Sequence, residues 1–410
     1  MYTVSVARRI SKIHLDAVLF AFYIAITPIH QALSTGRGTT INKYVSLLVM
    51  VSICFHMIAR RGRLFYDKAL VRSIAPFVCW IAITIIWSYS RANTVTSLFS
   101  TFSYILFTVI CCSWRWNEKE KRLFHIALIG ACVFYSFVLI GQQANLLSKR
   151  STFSLGLNGS SSDQNLLSAN LGIAILFAIN IFSLSSKRMG KLLSLAAALF
   201  IFTGIIATGS RGALIAVIIS SLCYFLQTSR HRKRKRGALV LILLCFFLLI
   251  IYLTSSDSVM GDYLISRYTS MDELKGASGR TDIWNRYLSM LGNWFWGIAY
   301  GFGYGAHMTA YGAFYETKWP HAVHNDLLAM VCSAGIVSVI LIGRFVAYMV
   351  RKAKKDGNAL GLSCIVLMIV AGLSVDMFGS YGWWNAMIFS YICAGNLYAK
   401  TEDNEMRLES

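Results

Sequence analysis

Apolar residues in this sequence arrive in blocks of about 17 to 22, each long enough to cross a hydrocarbon layer roughly 30 Å thick as a helix. That patterning restricts the chain more than any other feature it has. In lipid every backbone N–H and C=O must be satisfied within the structure, which leaves helices and closed barrels as the spanning forms. A barrel needs short alternating segments, and runs such as Ala238 to Leu253 do not alternate. Composition agrees, with 56% of the 410 residues hydrophobic and 14% charged, against roughly 25% charge in ordinary soluble domains. The expected fold is an all-α polytopic membrane protein. It has about twelve transmembrane helices, near 15–33, 44–59, 73–89, 97–113, 124–142, 165–185, 192–209, 212–227, 238–254, 326–349, 359–377 and 386–398.

The connections between these blocks alternate in basicity. The 60–72 segment holds Arg60, Arg61, Arg63, Lys68 and Arg72, whereas 90–96 holds Arg91 alone. By side, 27 lysines and arginines fall with the N-terminus and 11 opposite, with Arg344 near a helix end completing the 39. Positive charge collects on the cytoplasmic side, so both termini are expected there and the segments 143–164 and 255–325 face outward. Arg8, Arg9 and Lys12 precede an apolar run that no small-residue cleavage site follows, so that run reads as the first membrane helix and not as a signal peptide. A formal net charge of +21 and the run from Arg230 to Arg236 suggest nucleic acid at first sight. The run lacks interleaved aromatics and joins two spans, so topology and contact with anionic headgroups account for it, with no nucleic-acid partner. All ten cysteines lie in or beside apolar blocks and read as small apolar packers, not disulfides or metal ligands.

Long loops in compact proteins tend to carry function, which singles out 255–325. It divides the chain into an N-terminal bundle of about nine spans (1–254), an outward loop with short helices (255–325), and a C-terminal part of about three spans and a tail (326–410). The loop is rich in glycine, arginine and aromatics, the last suited either to the membrane interface or to stacking on sugar rings. Three motifs stand out. Thr208-Gly209-Ser210-Arg211-Gly212 forms a tight hairpin that sets a guanidinium at the membrane surface, either snorkelling to headgroups or binding a diphosphate. Ser278-Gly279-Arg280-Thr281-Asp282-Ile283-Trp284 reads as a loop entering an amphipathic helix, with Arg280 beside an anion-favouring N-terminus or else paired with Asp282. His321-Ala322-Val323-His324-Asn325-Asp326 stands at the mouth of the tenth span and offers a general base. His321 and His324 are three apart, so on a helix they would share a face and could hold a metal, though no further ligands at suitable spacing are evident.

With these motifs in this order, the chain resembles the O-antigen ligase and polymerase family of Gram-negative bacteria. The likeness covers most of its length, and the His324-Asn325 pair followed by leucines, after a glycine-rich aromatic stretch, is its most specific element. The resemblance implies a GT-C-like glycosyltransferase of the inner membrane with its active site in the periplasm. Polysaccharide on undecaprenyl diphosphate would be transferred to a sugar of lipid A-core in the ligase branch, or to another carrier-linked repeat unit in the polymerase branch. It implies no cofactor and no metal, with His324 as the essential histidine and Arg211 and Arg280 as the phosphate-binding pair. Arg286 is a possible third cation, His321 a substitute base, and Asn325 or Asp326 a possible orienter of the imidazole. A ligase is the first expectation and a sister polymerase the second, since fold and motifs do not separate them. From a different class, a transporter or flippase would use Asp376 at a span end for a coupling ion, although the two halves show no clear repeat.

Overall fold

The computed structural model of the chain describes residues 13–33, 40–62, 64, 66–143, 163–228, 279–294 and 296–393. The expected span at 238–254, most of 143–164, residues 255–278 and both termini lie outside the described residues. Within them all regular elements are helical. In order these are α1 (Leu15–Ile26), α2 (Ile41–Arg61), α3 (Lys68–Ile83), α4 (Arg91–Ser113), α5 (Glu118–Gln143), α6 (Gln164–Leu184), α7 (Arg188–Thr208) and α8 (Arg211–Thr228). After the undescribed stretch come α9 (Arg280–Gly292), α10 (Gly297–Tyr300), α11 (His307–Phe314), α12 (Asp326–Lys355), α13 (Ala359–Gly372) and α14 (Tyr381–Ile392).

Eight of these, α2 to α8 and α12, are long and apolar enough to cross a membrane, while α1 and α13 are shorter apolar helices. The last span begins earlier than the sequence suggests, at Tyr381, where Ser380 caps it by accepting from the Trp383 N–H. The described cysteines are free thiols, as their apolar settings imply.

α6 is the axis of the bundle. Its central window is 83% buried, whereas the other seven candidate spans are 28–39% buried. A helix apolar all round belongs in such a position. It packs against α5, α7, α8 and α13. The polar groups it carries are paired inside the bundle: Tyr224 donates to Asn180 Oδ1 at 2.9 Å and shares a 2.6 Å hydrogen bond with Ser183. Unpaired, each would cost about 1–3 kcal/mol.

The tenth expected span departs most from its reading. α12 is broken at Ala334 (φ −138°, ψ 17°) and Gly335 (φ 73°, ψ 175°), and it runs on to Lys355. Residues 336–355 alone give about 30 Å of helix, a full crossing, so the segment that starts at Asp326 is a separate short helix laid on top. The carbonyls released by the break find other donors. The Trp80 indole N–H reaches Ala334 O at 2.7 Å, and the Phe302 N–H reaches Cys332 O at 2.8 Å. Around this segment Tyr287, Met290, Leu291, Phe302, Tyr311, Val323 and Cys332 form a second, smaller core that holds α9 and α11 against α12.

Candidate active site

Residues 320–325 have no regular structure, and helix begins only at Asp326. Asn325 stops the helix from extending backward: in an extended conformation it caps α12, its Oδ1 accepting from the Leu328 N–H at 3.0 Å. The helical spacing of His321 and His324 therefore does not apply, and the shared face expected for a metal pair is not formed. His324 itself sits at φ +53°, in the left-handed region that a non-glycine residue enters at a cost. Its Nδ1 is buried and has no hydrogen-bond partner among the described residues.

The strap is held from two directions. On one side lies the connection between α13 and α14. Asp376 Oδ1 accepts from the Asn325 N–H at 3.1 Å, its carboxylate also takes the His324 N–H, and Asn325 Nδ2 donates to Leu373 O at 3.2 Å. Burial pushes the Asp376 carboxyl above its usual range, and the nearby His324 ring and these N–H donors pull it partly back. The same connection meets α8. A Cβ on Gly212 would lie 2.0 Å from Ser374 Oγ and 2.8 Å from Ser374 Cβ, so only glycine allows this approach. Arg211, the first residue of α8, thus adjoins the residue that approaches Ser374, two positions before Asp376.

The hairpin motif explains itself in these terms. Gly209 turns the chain at φ +68°, and Thr208 Oγ1 hydrogen bonds Ser168 Oγ at 2.6 Å. Ser210 Oγ donates to Asn165 Oδ1 at 2.8 Å, which leaves Arg211 at the start of the next helix. From the other side, α9 carries Trp284 and Tyr287, whose Nε1 and OH donate to the carbonyls of Val323 and His321, each at 2.8 Å. Arg280 lies four residues before Trp284 and seven before Tyr287, hence on the face of α9 that holds the strap. Gly279 precedes it at φ +78° with no side-chain cap, and the start of α9 is the positive end of that helix.

Contacts of neighbouring residues thus link the segments that carry Arg211, Arg280 and His324 into one set. Arg286 is not part of it. Two positions beyond Trp284, it emerges on the opposite face, is exposed, and lies over the Tyr315 ring at 5.8 Å. His321 is exposed and contributes its carbonyl to Tyr287. Asn325 and Asp326 do structural work: Asp326 Oδ1 accepts from the Phe378 N–H at 2.9 Å and so ties α12 to the α13–α14 connection.

Two residues outside the expected set belong here. Asp376 positions the strap, its carboxylate accepting from two backbone N–H groups. It is the one acidic residue between Gly357 and Thr401, and a carboxylate in such an apolar stretch was the signal. His307 is the other: its Nδ1 pairs with Ser333 Oγ at 2.7 Å, and burial pulls its pKa down to about 4, which leaves the ring neutral.

Residues 196–343 match the family model described as O-antigen ligase. The match covers a little over a third of the chain, so the likeness to the O-antigen ligase family is one of that segment. The matched segment contains Arg211, Arg280 and the whole 320–325 strap, but not Asp376. No curated protein matches the chain. The likeness supports a glycosyltransferase-like enzyme at a coarse level, and the eight long apolar helices fit a multi-pass membrane protein.

Proposed function

We propose that this protein is an O-antigen ligase, transferring polysaccharide from undecaprenyl diphosphate to a sugar hydroxyl of lipid A-core at the periplasmic face of the inner membrane. The observation that carries this reading is the His324 imidazole, its buried Nδ1 unpaired among the described residues, in a strap that α9 and the α13–α14 connection hold. Arg211 and Arg280 engage the diphosphate as bidentate forks, backed by the positive ends of α8 and α9. Charge that grows on the departing diphosphate is stabilised by cations already in position, which is the service a divalent metal would otherwise perform. His324 accepts the proton of the acceptor hydroxyl as its oxygen attacks the anomeric carbon. The bond from that carbon to the phosphate oxygen breaks, its electron pair leaves with the carrier diphosphate, and attack from the opposite side inverts the anomeric configuration. Asp376 keeps the strap, and with it the imidazole, in the strained backbone conformation that aims it.

Arginine substitutions test the donor half of this assignment. Arg211→Ala or Arg280→Ala is expected to weaken binding of carrier-linked oligosaccharide about 10- to 100-fold, the loss of a charged hydrogen-bond pair. Lysine at either position should restore only part of that affinity, because an ammonium lacks the fork. Equilibrium binding in detergent measures this, and alanine variants that bind donor as tightly as wild type would refute the role.

A further inference from the structure

The hydroxyl side chains of α4 fall into two groups. Thr94 pairs with Ser88 Oγ at 2.7 Å and Thr101 with Tyr304 OH at 2.7 Å. Thr96, Ser103, Thr108 and Ser113 each donate to a carbonyl one turn back, at 2.7–3.0 Å. Ser97 and Ser100 are the exceptions, with no partner among the described residues. In a helix that crosses lipid, back-bonding is the usual refuge for a hydroxyl, so two that forgo it face something polar.

What they face is a cavity of about 360 Å³, which also takes in His307, Met330, Asp326 and Asp376. That volume falls in the range of small-molecule sites, roughly 300–1,000 Å³. Two carboxyl groups in the wall make it a poor host for a diphosphate, and neither Arg211 nor Arg280 lines it. A neutral polyhydroxyl ring suits it better. Carboxylates accept from sugar hydroxyls, serines and a neutral imidazole both donate and accept, and Met330 offers an apolar surface for the C–H face of a ring. Asp376 is a shared wall, since its carboxylate also holds the His324 N–H.

We infer that this cavity is the acceptor subsite, in which Ser97 and Ser100 hydrogen bond hydroxyls of the sugar that attacks the donor. The inference rests on the transfer reading above and specifies where its second substrate lies. Diphosphate and acceptor then approach His324 from different sides, the donor from the arginine-led termini and the acceptor through the carboxylate-lined pocket.

The test is steady-state transfer by the full-length protein at saturating donor, with core acceptor varied. Ser97→Ala combined with Ser100→Ala should raise the acceptor KM by about 5- to 30-fold and change kcat by less than about threefold, as expected for two lost hydrogen bonds. Ser103→Ala, on the same helix but back-bonded to Phe99, should change neither. An unchanged acceptor KM in the double variant overturns the inference. A loss confined to donor binding also overturns it and gives the cavity to the donor sugar. Binding of labelled core oligosaccharide to wild type and double variant reads the cavity without turnover. If wild-type protein transfers nothing, the transfer reading fails, yet weaker binding by the variant would still assign the cavity to a saccharide and equal binding would still overturn it.

Discussion

Replacing His324 with asparagine should lower the rate of transfer by about 10²- to 10⁴-fold, the usual contribution of a positioned general base. Asparagine is the informative choice because the native residue sits at φ +53°, a conformation asparagine enters more readily than alanine does. The variant keeps the backbone N–H that Asp376 accepts, so the strap and the cap on α12 should persist. Donor affinity should stay within about twofold of wild type, since the base acts on the acceptor and the arginines hold the diphosphate. His324→Ala should lose at least as much activity. Single-turnover measurement with prebound donor separates the chemical step from binding, and an asparagine variant that turns over at the wild-type rate removes His324 from the mechanism.

The second large effect concerns folding. Gly335 has φ 73° and ψ 175°, a backbone state essentially confined to glycine. A Cβ there would lie 1.9 Å from Ala299 O, 2.3 Å from Ala299 C and 2.5 Å from Tyr300 N. All three atoms are backbone, so no side-chain rotation relieves the overlap. From the opposite side, a Cβ on Gly301 would lie 2.6 Å from the Ala334 N. Gly335→Ala should therefore cost more than about 3 kcal/mol, above the range for ordinary overpacking because conformational strain adds to the clash. The added methyl would push α10 away from the break in α12, and with it the support that this packing gives to the second core and the strap. A fall in the thermal midpoint, or failure to recover monodisperse protein from detergent, is the expected measurement. A variant as stable as wild type would show that the break is not held by the close approach of α10.

Much of the helical framework could be read from the chain because a bilayer leaves so few alternatives. Apolar runs of spanning length became α2 to α8 and α12, and the hairpin at Gly209 and the start of α9 at Arg280 followed from glycine and the 3.6-residue period. The same period, applied beyond Arg280, would have excluded Arg286: positions 280, 284 and 287 share a face and 286 does not. Asn325 ahead of Asp326 and Leu328 is an N-cap pattern that the helical spacing of His321 and His324 left out of account, and it sets His324 outside the helix.

Other features were invisible for a physical reason. A hydropathy window averages over the break at Ala334–Gly335, because a single glycine barely lowers the mean of a long apolar run. Asp376 reaches His324 across more than fifty residues, and Gly212 reaches Ser374 across more than a hundred and fifty. Such pairings belong to tertiary packing, and local patterning carries no record of them. The unpaired state of Ser97 and Ser100 is likewise visible only once every other hydroxyl on α4 has found its partner.

Purified protein in liposomes, supplied with carrier-linked glycan and lipid A-core in the presence of EDTA, tests the assigned chemistry most directly. The expected result is glycan joined covalently to core, with the anomeric configuration of its first sugar reversed and carrier diphosphate released. Glycan that crosses the bilayer with its diphosphate linkage intact, or that forms no new glycosidic bond while both substrates are present, would contradict it.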